Sequence, residues 1–192
     1  MDHLIIFLKN PVKGKVKTRL AATIGDDKAL LIYEKLLSHT LEQAKKANVT
    51  TYLFFSDKLQ PVDGFGNSLL QRGKDLGERM KNAFSDVLTS PNSRAVIIGT
   101  DCPGITPELI REAFNKLNHS EVVIGPAADG GYYLLGMRHF YPQLFENVTW
   151  STDEVLRQTK KISTDNNLSF TELETLPDID TEEDLKFLPE DF

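Results

Sequence analysis

Five short, almost unbroken apolar runs constrain this chain more than any other feature. They are Leu4-Ile5-Ile6-Phe7-Leu8, Thr51-Tyr52-Leu53-Phe54-Phe55, Ala95-Val96-Ile97-Ile98, Val122-Val123-Ile124 and Tyr132-Tyr133-Leu134-Leu135. Runs without polar alternation belong to strands covered on both faces. Helical periodicity fills the intervals. Asp26 and Asp27 predict a cap for a helix with the stripe Leu30, Tyr33, Leu37, Leu41 and Ala44. Leu76, Met80, Ala83, Phe84 and Val87 predict the next. Thr106 before Pro107 predicts a helix start, followed by Ile110, Ala113, Phe114 and Leu117. Ser151 with Glu154 reads as a capping box, and Asp180 with Thr181 as the start of a last short helix through Leu185 and Phe187. The stretch 61–73 reads as loop. Strands alternating with helices predict an α/β fold with a mainly parallel central sheet and helices on both faces. With no repeat or linker, the 192 residues are expected to form a single domain, 1–192.

Charge narrows the ligand. The chain has 22 Lys and Arg against 28 Asp and Glu, yet no acid lies between His3 and Gly25. Lys9, Lys13, Lys15, Lys17 and Arg19 fall within that segment, whereas the tail from Glu172 onward is acidic. A basic segment in an acidic protein argues against a nucleic-acid binder and suits a small polyanion such as a nucleotide. A solvated basic loop is the other reading. Cys102 is the only cysteine, so no disulfide scaffold is expected. No run approaches the roughly 20 apolar residues of a membrane span. The first residues lack the marks of a signal peptide, and a cytoplasmic, reducing setting is the expectation. No membrane partner is expected, and oligomeric state is left open.

Ligands of open α/β sheets bind outside the carboxyl ends of the strands. Four segments fall there. Lys9 to Leu20 holds Pro11, Gly14, Lys17, Thr18 and Arg19, and a glycine with several cations can wrap phosphates. It is neither a Walker A loop nor a dinucleotide fingerprint, since the required glycines are missing. Gly99-Thr100-Asp101-Cys102-Pro103 offers a carboxylate suited to Mg²⁺ beside a substrate phosphate, or else a turn aspartate. Cys102 reads as a small buried thiol. Gly125 to Tyr133 offers Asp129, a candidate for binding a sugar hydroxyl or acting as general base, or else an Asp-Gly turn. In Asp178-Ile179-Asp180 the two acids share one face of an extended chain, although Asp180 with Glu183 also resembles a helix cap. Trp150 is either a sugar platform or core. The four histidines show no metal-ligand spacing.

Together these segments resemble the nucleotide-diphospho-sugar transferase superfamily, the GT-A type of Rossmann-like fold. More closely the chain resembles a bacterial family of glycosyltransferase-like proteins, some of them linked to arsenosugar biosynthesis. It is also similar to the phospholactate guanylyltransferase. Five motifs carry the likeness: Lys9-x-Pro11-x-x-Gly14-x-x-Lys17-Thr18-Arg19-Leu20, Gly73-x-Asp75-Leu76-Gly77-Glu78-Arg79-Met80, Gly99 to Pro103, Gly125-Pro126-x-x-Asp129-Gly130-Gly131-Tyr132-Tyr133, and Asp178 to Thr181.

The resemblance implies that the first loop holds base and phosphates, with Lys17 and Arg19 on the phosphates. It implies Gly73, Asp75 and Arg79 near the nucleotide. Asp101 and Asp180 would hold Mg²⁺ or Mn²⁺, and Asp129, Gly130, Gly131 and Trp150 would face the acceptor. Asp101 and Asp129 are then the catalytic candidates. The implied activity is metal-dependent glycosyl transfer from a nucleotide-diphospho-sugar to a small acceptor. Nucleotidyl transfer from an NTP to a phosphorylated small molecule is the alternative, and a non-catalytic nucleotide-binding module the third reading. Two features differ from the superfamily's usual patterns. The first loop has one glycine and no lysine soon after Arg19, and Cys102-Pro103 follows Asp101 in place of a second Asp.

Overall fold

The computed structural model describes residues 1–190 and 192. One seven-stranded sheet organises them. Its strands are β1 (Asp2–Leu8), β2 (Thr50–Phe55), β3 (Asn67–Leu70), β4 (Arg94–Ile98), β5 (Val122–Pro126), β6 (Tyr132–Met137) and β7 (Phe170–Glu172), in the spatial order β3-β2-β1-β4-β6-β5-β7. Only β6 runs antiparallel to its neighbours, β4 and β5. The mainly parallel sheet expected from the sequence is therefore present.

Two-sided burial explains the apolar runs. Leu4, Ile6 and Leu8 of β1, with Val96 and Ile98 of β4, pack against α2 (Asp26–Ala47) and α4 (Pro107–Lys116). Ile5, Ala95 and Ile97 point the other way, onto α3 (Leu76–Val87). Ile162 of α5 (Val155–Asp165) packs on that second face too. Burying a large aliphatic side chain is worth about 2 kcal/mol, so each residue of these runs contributes whichever face it points to. Thr106 caps α4 as expected, its hydroxyl accepting from the Leu109 amide, with Pro107 in the first turn.

Several local expectations are corrected. The buried stripe of α2 is Ala29, Tyr33, Leu36, Thr40, Ala44 and Ala47; Leu37 and Leu41 sit at its margin. Gly25, not Asp26 or Asp27, precedes that helix as its cap. Ser151 adopts φ of 65° and caps nothing; Glu154 stands at the start of α5 without a side-chain cap. The last helix is a 3-10 segment, Glu182–Phe187, capped by Thr181 rather than Asp180. The Thr181 amide and hydroxyl both donate to Asp184, at 2.7 and 2.8 Å. The stretch 61–73 is not all loop, because it contains β3.

The order of strands places a crevice. From β1 the chain moves outward to β2 and β3, then returns to lay β4 on the opposite side of β1. The loops leaving β1 and β4 therefore diverge, and a cleft opens between their carboxyl ends.

Candidate active site

A cavity of about 700 Å³ occupies that cleft. Its lining divides by charge along the chain. Lys9, Lys17, Arg19 and Arg79 come from the chain before β4; the wall after β4 carries Asp101, Asp129, Asp153, Asp178 and Asp180 and no cation.

Lys17 sits where the two sides meet. It precedes the short helix α1 (Thr18–Ile24) with left-handed φ and ψ of 48° and 42°. That conformation costs a residue with a β-carbon about 1 kcal/mol. The side chain is 3% exposed, and its ammonium pairs with Asp101 and, at 3.2 Å, with Asp180. Arg19 also reaches Asp180, at 3.4 Å, but its side chain is 71% exposed. Only Lys17 is therefore an interior counter-ion; Arg19 is free to turn towards a ligand at little cost.

The acidic tail is fixed by its middle residue. Ile179 is fully buried against Leu20, Ala29 and Leu36, and its amide donates to the Asp101 carbonyl at 2.9 Å. Alternation along the extended segment then turns Asp178 and Asp180 to the cavity. Burial pushes the Asp178 carboxyl up to about 7, with the charges of Asp101 and Asp129 adding to the rise and Lys17 opposing it. Since Thr181 does the capping, Asp180 has its side chain free for this site.

The loop after β1 is held by two locks. The Tyr33 hydroxyl accepts from the Lys9 amide and donates to the Lys9 carbonyl, both at 2.8 Å. The Asn10 side chain pairs with both backbone groups of Lys58, at 2.9 and 3.1 Å. Lys9 consequently presents its side chain, not its backbone, to the cavity. Arg79 is oriented by the Gly73 carbonyl, which accepts from its Nε at 3.1 Å, leaving its terminal nitrogens for a ligand.

Part of the wall is aromatic. Trp150 stacks on Phe145, with centroids 6.3 Å apart, and lies on Gly77. A β-carbon at Gly77 would overlap the indole, so the glycine makes the seat. Asp129 accepts from the Gly131 amide at 2.9 Å, as a turn aspartate does, and still reaches the cavity. The turn reading of Asp129 thus applies, and the residue borders the cavity as well. Gly130, at φ of 89°, lets the Asp153 backbone approach where a β-carbon would clash.

Of the residues singled out from the sequence, Lys9, Lys17, Thr18, Arg19, Arg79, Asp101, Asp129, Gly131, Trp150 and Asp180 line one cavity. Pro11, Gly14, Gly73, Asp75 and Gly130 lie off its wall. Asp75 caps α3 by accepting from the Glu78 amide at 2.8 Å. Cys102 is buried, and its thiol is pushed up to about 12 by burial first and by the charges of Asp178 and Asp101, which makes it a poor nucleophile. Asp178 enters the sequence reading only beside Asp180 in a candidate segment, with no role of its own, and Tyr33 only as core. The alternation around Ile179 signalled the first.

The donor set fits a hard divalent cation. Asp101 and Asp180 offer carboxylate oxygens on either side of a position already occupied by positive charge, that of Lys17. Mg²⁺ and Mn²⁺ sites commonly need only one or two protein carboxylates. Among the described residues no group of three or more His, Cys, Asp or Glu converges as a metal cage. Nor is any described helix long and apolar enough to cross a membrane.

This is the fold of the nucleotide-diphospho-sugar transferases. A provisionally named nucleotide-diphospho-sugar transferase from Desulfovibrio desulfuricans G20 superposes with a TM-score of 0.87 at 32% identity, covering 96% of this chain and 84% of that one. An inositol-1-phosphate CTP transferase from T. maritima superposes at 0.61 and 13% identity, over 95% and 91% of the two chains. A protein from Mycobacterium tuberculosis H37Rv, solved in complex with manganese, superposes at 0.56 and 17% identity, over 97% and 96%. The last two likenesses concern the fold alone. No protein of curated function matches the chain by sequence. Residues 36–152 match the model of a family described as an uncharacterized protein conserved in bacteria, DUF2064, and the chain belongs to that family.

Proposed function

We propose that this protein is a transferase that moves a glycosyl group from a nucleotide-diphospho-sugar to a small acceptor, acting as a single domain over residues 1–192. The observation that carries the reading is one cavity whose lining gathers Lys9, Lys17, Arg19 and Arg79 with Asp101, Asp129, Asp178 and Asp180. A diphosphate would lie along Lys9, Arg19 and Arg79, while Lys17 would meet its charge from the boundary. Asp101 and Asp180 would hold Mg²⁺ or Mn²⁺, which when bound supplies charge neutralisation for a departing diphosphate. The cationic side chains add to the same electrostatic term. Asp129 would orient or deprotonate an acceptor hydroxyl, and Trp150 would stack on its ring. The Desulfovibrio desulfuricans likeness supports this reading.

Nucleotidyl transfer is the second reading, favoured by the fold shared with the T. maritima CTP transferase. Product analysis separates the two. Glycosyl transfer releases a nucleoside diphosphate and nucleotidyl transfer releases pyrophosphate. Binding of a nucleotide-sugar without either product across a broad acceptor panel would leave a nucleotide-binding module. Asp101→Asn is expected to weaken Mn²⁺ binding about tenfold or more; unchanged binding would remove Asp101 from the metal site.

A further inference from the structure

The cavity wall also carries an aromatic plate and hydroxyls. Trp150 packs on Gly77 and on Phe145 and still borders the cavity, with Ser151 and Thr152 beside it. Such a plate packs against the C–H face of a ring, and the Ser151 hydroxyl serves its polar edge, the Thr152 hydroxyl already donating to the Thr149 carbonyl at 2.7 Å. The charged groups here are all of one sign. Asp129 and Asp153 are exposed and, among the described residues, paired with no cation. A phosphomonoester carries close to two negative charges at neutral pH. Seated against Trp150 it would face these carboxylates, with the lining cations Lys9, Lys17, Arg19 and Arg79 all assigned to the diphosphate in the reading above. Arg79 shares α3 with Gly77, but its Nε is held by the Gly73 carbonyl and its terminal nitrogens are the ones assigned to the diphosphate.

We propose that the acceptor seated on Trp150 is a hydroxyl-bearing ring compound without a phosphate, neutral or positively charged. This inference rests on the reading of the cavity as a nucleotide-sugar site and adds the chemical class of its second substrate. It also distinguishes the site from one joining an NTP to a phosphorylated partner, which requires a cationic acceptor wall.

Three probes matched in ring size test it: glucose, glucosamine and glucose 6-phosphate. Saturation-transfer NMR on the full chain, with nucleoside diphosphate and Mg²⁺ present, gives their relative affinities. Glucose and glucosamine are expected to bind about tenfold or more tightly than the phosphorylated sugar, given repulsion from two carboxylates at moderate screening. Asp153→Lys, a change at an exposed and unpaired position, should narrow or reverse that ratio. Trp150→Ala should weaken all three alike. Preferential binding of glucose 6-phosphate to the wild-type protein would overturn the proposal, as would no transfer to any of the three, or a ratio indifferent to Asp153→Lys. Calorimetric binding of nucleotide in the same samples keeps the two ideas apart. If nucleotide binds and the phosphorylated sugar wins, only the acceptor class is wrong; if no nucleotide binds, the reading of the cavity itself fails.

Discussion

Asp178→Asn should stabilise the protein, and only at neutral and alkaline pH. The Asp178 carboxyl is half-buried beside Asp101, Asp129 and Asp180, and is raised from 3.8 to about 7. Between those values the unfolded chain has lost this proton and the folded chain still holds it. Stability contributed by the group is therefore complete at pH below about 4, falls as pH rises towards 7, and is level above that. The interval corresponds to a ceiling of about 4 kcal/mol, at about 1.4 kcal/mol per pH unit. Partial access to water and counter-ions reduces this to about 2 kcal/mol. Asparagine keeps the shape and removes the charge, so the variant should be about 2 kcal/mol more stable at pH 8 and within about 0.5 kcal/mol of wild type at pH 4.5. Urea unfolding of both proteins in metal-free buffer, from pH 4.5 to 8.5, reads the difference directly. A variant equal to or less stable than wild type at pH 8, or a difference that does not grow with pH, would refute the electrostatic account of the cluster.

Lys17→Met should act in the opposite direction. It leaves Asp101 and Asp180 without their interior counter-ion, and a loss of about 3 kcal/mol at pH 8 is expected in the same unfolding assay, shrinking as the carboxylates protonate. Combined with Asp178→Asn the loss should be smaller than the sum of the two single effects, because the groups share one field. Gly77→Ala should unseat the indole, costing about 2 kcal/mol and shifting the fluorescence of Trp150, the only tryptophan, towards that of an exposed ring; an unchanged emission maximum would contradict the seat. Tyr33→Phe removes both bonds to Lys9 and should cost about 1–2 kcal/mol, measured by thermal unfolding.

The central strands were legible because β1, β2, β4, β5 and β6 are buried on both faces, and continuous hydrophobicity is the direct imprint of that. β3 and β7 were not. They are short edge strands whose residues are half-buried or exposed, so neither alternation nor an apolar run marks them. The stripe of α2 was misread for a related reason. Ala44 and Ala47 are buried on the sheet side and Ala29 against Leu20 and Ile179, where small side chains allow close packing, whereas hydropathy draws attention to Leu30, Leu37 and Leu41. Thr40 can be buried because its hydroxyl donates to the Leu36 carbonyl, which composition does not reveal.

In the site, Asp101, Asp129 and Lys17 stood out because they follow strands at the expected end of the sheet, whereas Arg79 came from the family resemblance alone. The environment of Asp178 was not legible. It depends on Ile179 docking against α1 and α2 and on the backbone of Asp101, contacts between segments distant in sequence. Pro11, Gly14, Gly73 and Gly130 belong to the motifs, yet the structure sets them off the cavity wall; Gly73 and Gly130 shape loops that aim Arg79 and carry Asp129. A motif thus marks a neighbourhood, and only packing decides which of its side chains reach the ligand.

The most direct test of the account is a calorimetric titration, with Mg²⁺ or Mn²⁺ and without, comparing nucleoside triphosphates with UDP-, GDP-, ADP- and TDP-sugars, on wild type and Arg79→Ala. The account predicts metal-dependent binding of one nucleotide-sugar in preference to its triphosphate, weakened about tenfold or more by the substitution. Preference for a triphosphate, or no binding to either class, would contradict it.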